Sequence, residues 1–265
     1  MNVRYKDALV SFKDQGAGDA VVLIHGYTQS SSVWDFFVEH LIDSFRVITI
    51  DLPGHGESEC IGEIHPMEQM GEVIKFVLDH LNVNEAVIIG HSMGGYIALS
   101  MARVYPKLFR GLGLFHSTSL ADSEESKASR EKSIKLIRED HQAFLFNFIP
   151  ELFAPENRER LAPEIDALIV AAKKMTKKAV LAAQEGMKSR SSTLDVLINA
   201  KFPVMFIAGQ KDSRVPFENI WVQMALTEEA HSLILRNVGH MGFLEAKHQT
   251  FDFTRAFIQS CFRLR

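Results

Sequence analysis

The stretch Ala86-Val-Ile-Ile-Gly-His-Ser-Met-Gly-Gly-Tyr-Ile-Ala98 decides how this chain is read. Its first four residues are apolar, and a short apolar run closed by glycine reads as a strand covered on both faces. From Gly94 to Tyr105 apolar residues recur three and four apart, as a helix requires. Between the two lies Gly90-His91-Ser92-Met93-Gly94, a G-x-S-x-G pattern sitting at a strand-to-helix turn. Such a turn lifts its serine above the end of the strand in a strained backbone conformation. The residues two before and two after must be small, because larger side chains would collide across the turn. The helix N-terminus that follows offers unpaired N–H groups to a developing negative charge.

Outward from this stretch the pattern repeats. Val21–Ile24, Phe45–Ile50, Gly111–Phe115 and Pro203–Ala208 are nearly continuous in apolar character, and His231–Leu235 is strand-like. Met67 to Leu81 has a helical period through Val73, Phe76, Val77 and Leu81. Alternation of this kind predicts an α/β fold, a mostly parallel central sheet flanked by helices. The segment Val3 to Lys13 is more polar and alternating, which predicts an antiparallel hairpin at an edge. From about Leu120 to Asn199 no strand is predicted. Charged, helix-period stretches replace it over Ser123–Asp140, His141–Leu152, Pro163–Met175 and Lys177–Met187. The expected organisation is therefore one core, residues 1–118 and 200–265, with a helical insertion over 119–199.

Composition narrows the function classes. The chain has 265 residues, 46% of them apolar, which suffices for a sizeable core. Its net charge is −4 and its 29 basic residues are scattered, so no nucleic-acid partner is expected. Two cysteines, Cys60 and Cys261, allow at most one disulfide and exclude a disulfide framework. The first residues lack the apolar core of a secretory signal, and the apolar stretch Ala86–Ala102 is broken by glycines, His91 and Ser92. The expectation is a soluble, cytoplasmic protein without a membrane partner, acting on a small molecule. Oligomeric state is not legible. The histidines are dispersed along the sequence and the cysteines isolated, so neither a metal nor any other cofactor is expected.

A serine hydroxyl is a weak nucleophile and needs a base held by a third group. Of eleven histidines, His240 is favoured. It follows the strand-like His231–Leu235 in the loop Arg236-Asn-Val-Gly-His240, which places it at the carboxyl edge of the sheet with Ser92. His231 lies at the start of its strand and His248 inside the last helix. Asp212 lies just past Pro203–Ala208 and is the candidate orienting acid. The end of Gly111–Phe115 offers His116-Ser117-Thr118 and hence no rival carboxylate, while Asp195 and Asp252 read as helix-surface residues.

In the order Ser92, Asp212, His240 the chain resembles the α/β-hydrolase superfamily. The resemblance covers nearly the whole length. It includes His25-Gly26, Asp51-Leu-Pro-Gly-His-Gly-Glu-Ser58, the elbow at Ser92, Asp212-Ser-Arg-Val-Pro216 and Gly239-His240. It implies an oxyanion hole from the backbone N–H groups of Tyr27 and Met93, and a helical cap between Phe115 and Pro203. Dehalogenases and epoxide hydrolases of this kind carry aspartate at the elbow; serine here implies an acyl-enzyme formed from an ester or thioester. The same set also serves carbon–carbon bond hydrolases, enol-lactone hydrolases and lyases, and some relatives are ligand-binding receptors. His25 and His55 are expected to support loops. Candidates to line a largely apolar pocket are Trp34, His91, Phe144 and Phe148. Lys173–Lys178 reads as a solvated helix face, and Glu245 as a local cap or pair.

Overall fold

Residues 1–263 are described by the structure, a computed structural model. In chain order the strands are β1 Asn2–Tyr5, β2 Ala8–Gln15, β3 Ala20–Ile24, β4 Arg46–Ile50, β5 Ala86–His91, β6 Phe109–Phe115, β7 Val204–Gly209 and β8 Ala230–Leu235. The helices are α1 Asp35–Leu41, α2 Met67–His80, α3 Met93–Val104, α4 Glu124–Phe148, α5 Ala162–Ala172, α6 Lys177–Ser189, α7 Leu194–Ile198, α8 Phe217–Leu226, α9 Gly242–Glu245 and α10 Lys247–Arg263. Among the described residues the strands make one sheet in the order β1-β2-β4-β3-β5-β6-β7-β8. β1 and β2 pair antiparallel, as does β2 with β4; all other pairs are parallel.

The apolar runs read as doubly covered strands are just that. Every residue of β3, β5 and β7 is buried, whereas β1 and β2 alternate between more and less exposed positions, as an edge hairpin does. The chain leaves β3 for β4 on one side and later returns to β5 on the other. Connections from neighbouring strands therefore diverge at the carboxyl ends of β3 and β5. That reversal opens a crevice where ligands bind in open α/β sheets.

Between β6 and β7 the described structure is helical, α4 to α7. α4 starts on Ser123, whose side chain accepts the Ser126 N–H at 3.1 Å. It breaks at Asp140 (φ −147°, ψ 99°), where the sequence reading also divides two helices. Asp140 Oδ1 takes the N–H groups of Gln142 and Ala143 at 2.9 and 3.0 Å, capping the second half. The insertion docks on the loop before α2, where the His65 N–H donates to Ala182 O at 3.0 Å. Both cysteines are free. Among the described residues no helix is long and apolar enough to cross a membrane.

Candidate active site

The parallel strands deliver their next residues to one edge. β3 is followed by His25, β4 by Asp51, β5 by Ser92 and β6 by His116; Asp212 lies three residues beyond β7 and His240 five beyond β8. Ser92 joins β5 to α3 with φ 51° and ψ −114°, a region that L-residues rarely occupy. Its N–H donates to Phe115 O at 2.9 Å and its carbonyl accepts from Gly95 at 2.9 Å. A Cβ at Gly90 would strike the backbone of Gly94, and one at Gly94 would press on the carbonyls of Ile24 and His25. The requirement for small residues on both sides of the serine is thus a backbone contact.

Asp212 and His240 meet as the sequence order implies. His240 Nδ1 lies 2.8 Å from Asp212 Oδ2, and the carboxylate is almost wholly buried. Asp212 Oδ1 accepts the N–H groups of Arg214 and Val215 at 2.8 and 3.0 Å. A further partner was not foreseen: His116 Nδ1 stands 3.1 Å from the same Oδ2. Burial opposes charge on Asp212, but the His240 and His116 rings outweigh it and hold the carboxyl well below the ordinary carboxylate range. An ionised carboxylate only accepts, so both Nδ1 atoms carry the proton. For His240 this leaves Nε2 as the basic nitrogen.

The end of β6 offers no acid, but His116 there is a second support of the acid after β7. It adopts φ 48°, is buried, and its Nε2 has no partner among the described residues. The histidines dispersed in sequence thus gather in space. The ligand-type atoms of His116, Asp212 and His240 lie within 4.8 Å of one another. Their contacts of 2.8 and 3.1 Å are hydrogen-bond distances, with both N–H groups directed at one oxygen rather than three lone pairs at a shared centre. The donor set as arranged fits a hydrogen-bonded relay and not a metal.

His240 is held by its backbone as well. Its N–H donates to Leu152 O at 2.7 Å, and its carbonyl accepts from His91 Nε2 at 2.8 Å. Burial, then the neighbouring His240 and His116, push His91 well below the usual imidazole range, so it is a neutral support. Glu245 does more than pair locally. Its buried carboxylate accepts the N–H groups of Gly239 and Met241 on both sides of His240, and also Ala154 N–H at 2.9 Å and Asn157 Nδ2 at 2.8 Å. The histidine loop and the insertion are thereby pinned to one carboxylate.

The loop after β3 is braced as expected. Burial holds both His25 and His55 in the neutral form. His25 Nε2 accepts the Leu52 N–H at 3.0 Å and its Nδ1 donates to Gly26 O at 2.8 Å, while His55 Nδ1 donates to Pro53 O at 3.0 Å. Gln29 Oε1 takes the Gly26 N–H at 2.8 Å. Among the described residues the Tyr27 and Met93 amides donate no hydrogen bond.

Ser92 and His240 border a cavity of about 160 Å³ walled also by Tyr27, His91, Tyr96, Phe148 and Leu152. Two aromatic expectations fail. Trp34 is fully buried beneath the site, edge-on to Phe37 and Phe115 and beside Phe243, because the turn after β3 folds it into the core. Phe144 stacks on Phe148 at 5.2 Å but does not border the cavity; it lines an adjoining groove along α4 that shares Ser129, Ser133, Phe148 and Arg214 with it. The expected apolar pocket is also corrected. Insertion residues Asp122, Ser126, Ser129, Arg130, Ser133 and Gln184, together with Arg214 of the core, give the cavity a polar wall.

A serine at a strand-to-helix elbow, with a carboxylate-bound histidine on the same cavity, defines a class of protein. The chain belongs to the alpha/beta hydrolase fold family, whose model matches residues 19–247. It is similar to a thermophilic esterase from Thermogutta terrifontis solved with malate bound, with 28% identity and a TM-score of 0.90 over 96% of this chain and 94% of that one. It is 27% identical to a pimeloyl-[acyl-carrier protein] methyl ester esterase from Methylococcus capsulatus over 92% of this chain and 96% of that protein. It is also 27% identical to the dihydrolipoyllysine-residue acetyltransferase component of the acetoin cleaving system of Pseudomonas putida. That match covers 91% of this chain, but the chain spans only 64% of that protein's length.

Proposed function

We propose that the protein hydrolyses carboxylic esters of small, polar substrates through an acyl-enzyme on Ser92. The observation that carries this reading is one cavity bordered by Ser92 in its strained turn and by His240, whose Nδ1 is bound to buried Asp212 at 2.8 Å. In this mechanism His240 Nε2 takes the Ser92 proton as Oγ attacks the ester carbonyl. Asp212 keeps Nδ1 protonated and stabilises the imidazolium. The oxygen that gains the carbonyl electron pair is held by the Tyr27 and Met93 N–H groups, which have no other partner among the described residues. Collapse of the tetrahedral intermediate expels the alcohol, protonated by His240. Water, activated by the same imidazole, then frees the acid and restores Ser92. The helices α4 to α6 act as the cap that walls this cavity. The small volume and hydroxyl-rich lining support short, polar substrates, in keeping with the malate held by the similar Thermogutta esterase.

The test is hydrolysis of p-nitrophenyl esters of increasing chain length by wild type and Ser92→Ala, with fluorophosphonate labelling in parallel. We expect acetate or propionate to be the best substrates, and Ser92→Ala to lose at least about 10⁴-fold in kcat together with the label. Labelling that persists in Ser92→Ala would refute the nucleophile. A labelled Ser92 in wild type with no turnover of any ester would move the reading to a carbon–carbon bond or enol-lactone hydrolase.

A further inference from the structure

Ser126, Ser129, Arg130 and Ser133 lie at i, i+3, i+4 and i+7 on α4 and share one helical face, which borders the cavity. Ser126 and Ser129 are exposed and Arg130 and Ser133 half-buried, so this face opens from the cavity toward solvent, and it carries three hydroxyls and a guanidinium.

The charges around it do not cancel. Arg130 Nε donates to Asp122 Oδ2 at 2.5 Å, and Asp122 Oδ1 accepts Arg190 Nη1 at 2.8 Å. One carboxylate therefore serves two guanidiniums, leaving one positive charge in the wall. Arg190 is held away from the cavity: it donates to Met187 O and Leu120 O at 2.9 and 3.1 Å and lies over the Tyr96 ring at 4.0 Å, and only its buried Nε has no partner among the described residues. Arg130 and Asp122 both border the cavity and Arg190 does not; Arg130 is the more exposed of the two, 19% against 5% at the side chain, and Asp122 is spent on the two guanidiniums. The other cavity arginine, Arg214, is matched by Glu151 at 2.7 Å.

Donors remain free on this face. Arg130 uses Nε on Asp122 and Nη1 on Gln184 Oε1 at 3.1 Å, while Nη2 donates no hydrogen bond among the described residues. Ser126 accepts from Ser123 Oγ at 3.0 Å and keeps its own proton, and the Ser129 hydroxyl has no partner among the described residues. Ser133 spends its proton on Ser129 O at 3.1 Å and is excluded.

We propose that Arg130, with the Ser126 and Ser129 hydroxyls, forms a subsite for a carboxylate carried by the ester substrate, so that the natural substrate is a half-ester of a dicarboxylic acid. The proposal rests on the ester-hydrolase reading and adds the charge of the substrate to it. A guanidinium edge flanked by hydroxyls matches the planar geometry of a carboxylate. A single uncompensated positive charge selects a monoanionic group over a phosphate dianion. Asp122, fixed by Arg190, holds the Arg130 edge in place before substrate enters, which lowers the ordering cost of binding.

The experiment compares matched esters that differ in one terminal group: monoethyl glutarate against ethyl valerate, with monoethyl succinate and adipate to find the best length. In wild type the best half-ester is expected to exceed its neutral twin at least about tenfold in kcat/KM, expressed in KM. Arg130→Gln should abolish that preference and Arg130→Lys should retain part of it. Because Arg130→Gln disturbs a buried ion pair, a wild-type measurement stands beside it: glutarate should inhibit ethyl valerate hydrolysis at least about tenfold more strongly than glutaramide. Equal or better turnover of the neutral twin, with glutarate no better than glutaramide, overturns the subsite and leaves the ester-hydrolase reading intact. A folded Arg130→Gln that keeps the preference overturns the assignment to Arg130. No turnover of any of these esters by wild type overturns the ester-hydrolase reading itself, and turnover that survives in Ser92→Ala overturns Ser92 as its nucleophile.

Discussion

The carboxyl edge of the sheet and the helical insertion hold their polar residues by different means. At the edge the backbone does the holding: Ser92 and His116 sit at positive φ, Asp212 takes two main-chain N–H groups, and His240 is tied through its own N–H and carbonyl. In the insertion the cavity's guanidinium is held by other side chains, Arg130 by Asp122 and Gln184. Backbone geometry at the edge cannot change without refolding a turn. A side-chain network on a helix face can be exchanged residue by residue. In the proposed enzyme the edge therefore sets what reaction occurs, and the insertion sets which substrate undergoes it.

That division is broken most directly at Asp212. Asp212→Asn keeps the shape but ends the acceptance of two N–H donors on one charged oxygen, so His240 is free to turn its protonated nitrogen toward Ser92. We expect kcat to fall about 10³- to 10⁴-fold for every ester, with little change in the ranking of substrates. Steady-state kinetics on three esters of different length would measure this. A loss confined to one substrate would place selectivity at the edge and undo the comparison.

His116 sharpens it. Its Nδ1 draws on the same Asp212 oxygen that serves His240, at 3.1 against 2.8 Å. Replacing it by asparagine should cost about tenfold in kcat, since Asp212 loses a support but keeps its two main-chain donors. The distinguishing readout is the ranking of esters, which should stay unchanged while kcat falls, because the loss acts through Asp212 at the edge. A ranking that changes with the substitution would undo this assignment of His116.

The two regions were also unequally legible in the sequence. Ser92 was readable because Gly90 and Gly94 are forced by backbone contacts, and His240 and Asp212 because each follows an apolar strand run at a fixed edge. His116 also follows a strand, but its contact with Asp212 spans two strands and depends on its backbone at φ 48°, which the sequence around it does not signal. Ser126, Ser129, Arg130 and Ser133 were read as charged helix because a polar helical stripe has the same period whether it faces water or a polar cavity. Trp34 misled for the converse reason: an aromatic after a strand fits a pocket wall or the core equally well, and only packing against Phe37, Phe115 and Phe243 decides.

The smallest expected effect lies where the two regions meet. His65 is buried in the loop before α2; its N–H holds Ala182 of α6, its Nε2 accepts the Ile61 N–H at 3.4 Å, and its Nδ1 has no partner among the described residues. Burial, with a smaller push from Lys178, lowers its pKa to about 4. The unfolded chain, at the ordinary value near 6.5, takes up a proton that the folded one refuses throughout the window between those values. Stability is therefore complete above about pH 6.5 and falls as pH drops toward 4, and burial gives His25, His55 and His91 the same sign. Asp212 acts only further down, where its lowered carboxyl is the stabilising form against the unfolded value near 3.9. We expect the unfolding midpoint to drop by about 4 °C or more between pH 7 and pH 5, with a shallower slope in His65→Gln. Because His65 docks α6, amide exchange in α6 should quicken on acidification before exchange in β5 does. A midpoint that holds or rises on acidification would contradict the direction of these shifts. Exchange that quickens equally in both elements would mean that insertion and sheet open as one unit.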